Sequence, residues 1–139
     1  MNREMKFRVW SKRIKRMWYP KFALFEGGCI YSYNEDYELL DDAMNGRDTL
    51  DEDDIVMQYI GLNDKNGKEI YDGDIIKMKI YYHNSGETKI HRYKVIWKDI
   101  WCSWALSRLD GCQSNRLYFD ETYEVIGNIY ENPELLEVK

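Results

Sequence analysis

Apolar and polar side chains alternate along much of this chain with a period of two, the pattern of strands that bury one face. Residues 6–10 begin it, with Lys6, Arg8 and Trp10 on one side and Phe7 and Val9 on the other. A basic turn over 11–16 returns the chain through 17–19 as the second strand of a hairpin, which Pro20 ends. Gly27-Gly28 then precedes another β-prone run at 29–33. Between 35 and 45 the period changes, because Tyr37, Leu40 and Met44 share one helical face and Gly46 offers a stop. Acidic residues crowd that piece, so a short marginal helix and an acidic loop are equal expectations.

The pattern sharpens after Ile55. A β-prone run ends at Gly61, and Asp64-Lys65-Asn66-Gly67 predicts a tight turn of type I′ before Ile70-Tyr71. Asp72-Gly73-Asp74 predicts a second turn. Out of it come Ile76, Met78, Ile80 and Tyr82 on one face, with Lys77, Lys79 and Tyr81 on the other. After a turn over 83–87, a return strand places Tyr93, Val95 and Trp97 inward and Arg92, Lys94 and Lys98 outward. A turn at 98–100 leads into a strand that puts Trp104 and Leu106 on one face. The last strand, 123–130, is interrupted by Gly127, which predicts a bulge or a close backbone approach. Asn132-Pro133 ends it, and 134–136 can form one helical turn over an edge.

Short strands every eight to twelve residues predict a mainly β fold, a small barrel over about 55–131. The N-terminal β-hairpin and the acidic loop or short helix are expected to pack outside it. No linker composition marks a sharp boundary, so one domain over 1–139 is expected, with 1–54 as hairpin and insert and 55–139 as barrel and C-terminal turn.

Composition narrows the class. With 139 residues, 44% hydrophobic and 15% aromatic, the chain can build one core and is not disordered. No apolar run reaches the roughly 20 residues a membrane helix needs, and the first residues lack a secretory h-region. Three cysteines, Cys29, Cys102 and Cys112, cannot all pair within one chain and read as core or half-buried thiols in a reducing compartment. A soluble cytoplasmic protein, with no membrane partner, is the expectation.

The net charge is −5, but its distribution is uneven. Between Met1 and Phe22 eight basic residues stand against Glu4 alone, and between Tyr31 and Asp54 ten acids stand against Arg47 alone. The first stretch, interleaved with aromatics, predicts a nucleic-acid-binding face of Lys6, Arg8 and Trp10, extended by Arg13 and Arg16. The competing expectation is that the acidic segment neutralises it within the chain. Lys77, Lys79, Arg92 and Lys94 form a second basic face on the later hairpin.

Other chemistry is thin. Cys102 and Cys112 stand ten apart and His83 and His91 eight apart, which is not zinc-ligand spacing. Asp64-Lys-Asn-Gly fails as a calcium loop, since its twelfth position is Ile75 rather than Glu. Asp72 and Asp74 resemble an acid pair, but Asp-Gly-Asp before a strand is turn chemistry. Neither histidine adjoins a nucleophile in a known motif, and hydrolase-elbow, dinucleotide and P-loop signatures are missing. No catalytic residue, metal ligand or cofactor is therefore assigned.

Three blocks carry a family resemblance. Met5-Lys-Phe-Arg-Val-Trp, the run Met57-Gln-Tyr-Ile-Gly-Leu-Asn-Asp-Lys-Asn-Gly-Lys-Glu-Ile-Tyr-Asp-Gly-Asp-Ile-Ile, and Tyr123-Glu-Val-Ile-Gly-Asn-Ile-Tyr-Glu-Asn-Pro-Glu-Leu-Leu resemble the YopX family, in that order. The resemblance implies a phage or prophage protein of the bacterial cytoplasm and a later part like an SH3-type barrel. It implies no activity and transfers no site residues. Together these readings give a non-enzymatic interaction or regulatory module whose partner is a host or phage protein. Nucleic-acid binding is the alternative, and homo-oligomers stay open because aromatics and strand edges are exposed.

Overall fold

The computed structural model describes residues 4–19, 22–26, 29–33, 53–111, 114–117 and 122–137; for 22–26, 29–33 and 114–116 only the backbone is described. The contacts divide the chain into two compact units, Glu4–Gln58 and Tyr59 onward, with the division inside one strand. Among the described residues every long element is a strand, and the only helical pieces are two 3-10 turns. The mainly β expectation holds.

In the first unit, β1 (Phe7–Ser11) and β2 (Arg16–Trp18) form the expected hairpin, with Val9 opposite Trp18 and Trp10 opposite Met17. Lys15 closes the turn at a positive φ of 52°. Strands β3 (Phe22–Glu26) and β4 (Cys29–Tyr33) pair as a second hairpin, of which the sequence reading found only the return strand. The opening half of β5 (Ile55–Asn63) pairs antiparallel with β1, from Phe7 opposite Gln58 to Trp10 opposite Ile55. The acidic segment at 34–52, with its proposed helix, lies outside the described residues.

The second unit begins in the closing half of β5, which pairs with β6 (Glu69–Tyr71) through a register shift between Tyr59 and Asn63, a stretch that holds Gly61 at φ +92°. The intervening turn is not type I′. That turn needs positive φ at both central residues, and here Gly67 alone has it, at +80°. The Asp64 carboxylate explains the difference. Its Oδ1 accepts the N–H groups of Asn66 and Lys68 at 2.8 and 2.9 Å, and its Oδ2 accepts Val125 N–H at 2.9 Å. One nearly buried side chain thus shapes the turn and ties it to the last strand.

Strands β7 (Asp74–Tyr82), β8 (Glu87–Lys98), β9 (Ser103–Arg108), β10 (Ser114–Arg116) and β11 (Glu124–Asn128) make one antiparallel sheet in the order β10-β9-β8-β7-β11. Its inner face supplies Ile76, Met78, Tyr93, Val95 and Leu106, which pack with Ile60, Ile70 and Tyr123 into the core of a small barrel-like body. Alternation assigned all five of those sheet positions to that face. Asp74, fully buried, accepts the Tyr71 N–H at 2.8 Å, so the Asp-Gly-Asp run is turn chemistry as read.

The outer face is covered at its base. Leu135, in the 3-10 turn Pro133–Leu136, lies against Gly127, and Gly127 pairs with Ile75. That explains why Ile75 is as buried as its core-facing neighbour Ile76. A Cβ on Gly127 would stand 2.5 Å from Asn132 Oδ1 and 2.8 Å from Leu135 Cδ1, so the expected close approach is real. The register shift between Val125 and Gly127 is the expected bulge.

Candidate interaction surface

The five N-terminal residues proposed as a nucleic-acid face do not lie together on the surface. Arg8 is only 2% exposed and Trp10 only 9%, while Val9, on the opposite parity, is fully buried. β1 has neighbours on both edges, β2 and β5, and burial on both faces, so its alternation does not separate core from solvent. Lys6 is half-buried and forms an ion pair with Glu4 at 3.1 Å. Arg13 and Arg16 are exposed, in and just after the turn. Cations therefore collect at the hairpin tip, away from the buried Trp10.

The second basic face is built differently. β7 loses its β11 partner after Lys77, and β8 gains β9 only from Tyr93. Between these limits, residues 78–82 and 87–92 form a two-stranded ribbon with no further strand beside it among the described residues. Its turn is set by Gly86, φ +69°, whose N–H donates to the Tyr82 carbonyl at 2.8 Å. Core packing continues on the inner face through Met78 and, in part, Ile80, while outward side chains of the ribbon stand in solvent.

Cross-strand partners share a face, so the outward rungs are Lys77 with Arg92, Lys79 with Ile90, and Tyr81 with Thr88. Tyr81 is 55% and Ile90 59% exposed. Glu124 neutralises Lys77 at 3.2 Å and Lys65 at 2.8 Å. Those two lysines, by their hydrogen bonds, hold the Glu124 carboxyl below its usual range. Lys79 and Lys94 have no carboxylate within ion-pair distance among the described residues, and Arg92 donates to the Glu137 carbonyl at 3.3 Å. From Lys77 to Lys94 five basic side chains stand against Glu87 alone, in a chain whose net charge is −5.

On the inward side, Tyr82 Oη and His91 Nε2 are hydrogen-bonded at 2.8 Å. Burial, then the Arg108 charge, lowers the His91 pKa; Lys89 acts the same way and Asp110 opposes. Arg108 and Asp110 pair at 2.7 Å. His83 sits edge-on to Tyr81, with ring centroids 4.9 Å apart, in the polar turn where the sequence placed it. Among the described residues no three His, Cys, Asp or Glu side chains group as metal ligands. No helix among them is long and apolar enough to cross a membrane.

A further exposed patch surrounds the turn after β8, which the sequence reading did not single out. Trp97 has the inward parity assigned to it but lies beyond the core and is 48% exposed, edge-on to its partner Trp104 at 5.3 Å. Alternation reports the face of a strand, not how far along it the core extends. Ile100 is 81% exposed, and Lys98 Nζ lies 4.8 Å over the Trp101 ring. Cys102, read as a core or half-buried thiol, is exposed at the left-handed end of this turn, φ +46°. The tight turn needs that backbone, which leaves its side chain in solvent.

Among curated proteins nothing matches this chain. Among solved structures, protein EF1440 from Enterococcus faecalis is 26% identical over 98% of this chain and 100% of its own, with a TM-score of 0.62. Protein yopX from Bacillus subtilis is 20% identical over 95% of this chain and 98% of its own, with a TM-score of 0.61, and shares the fold. The family model described as YopX protein matches residues 6–137, which take in the three sequence blocks except Met5 and the second unit from Tyr59 to its closing turn; the chain belongs to the YopX family.

Proposed function

We propose that this protein is a non-enzymatic interaction or regulatory module of phage or prophage origin, working in the bacterial cytoplasm. Its working surface in this reading is the outward face of the β7–β8 ribbon. The observation that carries it is the outward side of that ribbon, past the last strands beside it among the described residues: Tyr81, Ile90 and Lys79 are exposed on a paired, well-formed scaffold. Such a face costs little stability to vary and is available to a partner without rearrangement. The YopX resemblance supports a phage origin, and the sources of the two structural relatives are bacterial.

A photo-crosslinking residue at position 81 of the full chain, in bacterial cells, tests the reading. A discrete adduct is expected, lost on Lys79→Glu, with none from the same group at exposed position 131. Equal labelling from both positions, or none from 81, overturns it. An adduct of twice the chain mass identifies the partner as a second copy. Nucleic-acid binding is the second reading, favoured by the excess of cations between Lys77 and Lys94.

A further inference from the structure

We infer that the β7–β8 ribbon is a site for double-stranded nucleic acid, entering a groove as a two-stranded β-arm and holding the phosphates with Lys79, Arg92 and Lys94. The inference rests on the ribbon being the working surface and names its ligand.

Shape comes first. A duplex major groove is about 12 Å wide and admits a two-stranded ribbon. The ribbon from Met78 opposite His91 to Tyr82 opposite Glu87 has, among the described residues, no third strand beside it to block entry. At about 3.4 Å per residue it reaches roughly 17 Å from the sheet, about twice the depth of that groove.

Charge decides which ligand fits. Lys77 is paired with Glu124 and Lys89 with Glu87, at 3.2 and 3.7 Å. Among the described residues Lys79 and Lys94 meet no carboxylate at ion-pair distance, and Arg92 spends one N–H on a backbone carbonyl, which leaves its charge in place. All three lie on one face, Lys79 and Arg92 on the two strands of the ribbon and Lys94 at its foot, where β9 already pairs with β8. An anionic protein surface would also meet these cations. A regular row of phosphates on both sides of a groove, however, matches cations carried on both strands of one arm. The exposed Ile90 stands opposite Lys79 and the exposed Tyr81 on the last outward rung before the turn, the end that would reach the base edges and thymine methyls of the groove.

Fluorescence anisotropy with a labelled generic 30-base-pair duplex (length about three turns) and the full chain tests this. Binding is expected at about 50 mM salt, with log K falling against log salt at a slope of about −3 for three phosphate contacts. Lys79→Glu/Lys94→Glu is expected to lower affinity at least about tenfold and to reduce the slope by about two. Lys79→Gln, a single change at an exposed position, is expected to reduce it by about one, and guards against a misfolded double variant. Absence of duplex binding at low salt overturns the inference. So does binding that ignores the ribbon substitutions but falls with Arg13→Glu/Arg16→Glu, or a preference for the corresponding single strand. If duplex binding fails while position 81 still crosslinks to a protein, the ribbon stands as working surface and only its ligand is reassigned.

Discussion

β1–β2 and β7–β8 are both antiparallel hairpins rich in lysine, arginine and aromatic residues, and they treat those residues in opposite ways. In β1–β2 the strand itself is enclosed: Arg8, Val9, Trp10 and Ser11 are all buried, and the exposed cations gather from Lys12 to Arg16. In β7–β8 the distal half extends past the last neighbouring strand, and Lys79, Tyr81 and Ile90 share one solvated face. The difference lies in the neighbours. A strand with partners along both edges and cover on both faces has no free side, whatever its pattern, whereas a ribbon that runs past its neighbouring strands keeps its outward face free even where, as at Met78, its inner face is packed. Composition identifies a basic aromatic hairpin; only its neighbours decide whether that chemistry can meet a ligand.

The contrast has sharp consequences for substitutions. Arg8→Ala removes a buried cation together with the packing of its stem, and is expected to cost about 3 kcal/mol in urea unfolding, against about 0.5 kcal/mol or less for Lys79→Ala. Equal effects at the two positions would erase the distinction drawn between the hairpins. Arg8→Glu therefore reports on folding, and is a poor probe of nucleic-acid binding. At the base of the β7–β8 sheet, Gly127→Ala forces a Cβ into Asn132 and Leu135, and a loss of about 1–3 kcal/mol is expected. An unchanged unfolding midpoint would show that the closing 3-10 turn yields without cost.

A smaller effect separates the ribbon's inner side from its outer one. Burial and Arg108 lower the His91 pKa, so the folded protein binds fewer protons there than the unfolded chain. Its contribution to stability is present above the unfolded value of about 6.5 and declines as pH falls below it. Denaturant midpoints measured from pH 8 to pH 5 should fall less steeply for His91→Gln than for the parent protein. Glu124 acts in the same direction, at lower pH, on the outer face. Its lowered pKa stabilises the fold above the usual carboxylate range and is lost in acid. The smallest change is expected for Ile90→Ser, within about 0.5 kcal/mol of the parent, because the side chain is already in water. A large loss by thermal melting would reveal packing on the ribbon that its exposure does not suggest.

Much of the second unit was legible beforehand, because its strands bury one face and turn on glycines. Ile76, Met78, Tyr93, Val95 and Leu106 were placed on the core face by period alone. The Gly127 bulge and the final helical turn were visible as a break and a Pro-led stop. The turn at Asp64 was found but mistyped, since a side chain bonding to three backbone N–H groups competes with the intrinsic preference of Asn-Gly. β3 and β10 were missed: Phe22–Glu26 does not alternate cleanly, and Ser114–Arg116 carries no apolar residue. The candidate site was half-legible. Lys77, Lys79, Arg92 and Lys94 were seen as one outward face, while the face given priority, around Arg8 and Trp10, is mostly interior.

The amino-acid order by itself settled the class of fold, the places where the chain must turn, and the family to which it belongs, because periodicity, glycine and blocks of residues are local properties. Tertiary structure alone decided which basic hairpin is enclosed and which is offered to solvent. Burial depends on how many strands and segments surround a side chain, and those neighbours come from distant parts of the sequence: β5 beside β1, and the chain end over Ile75.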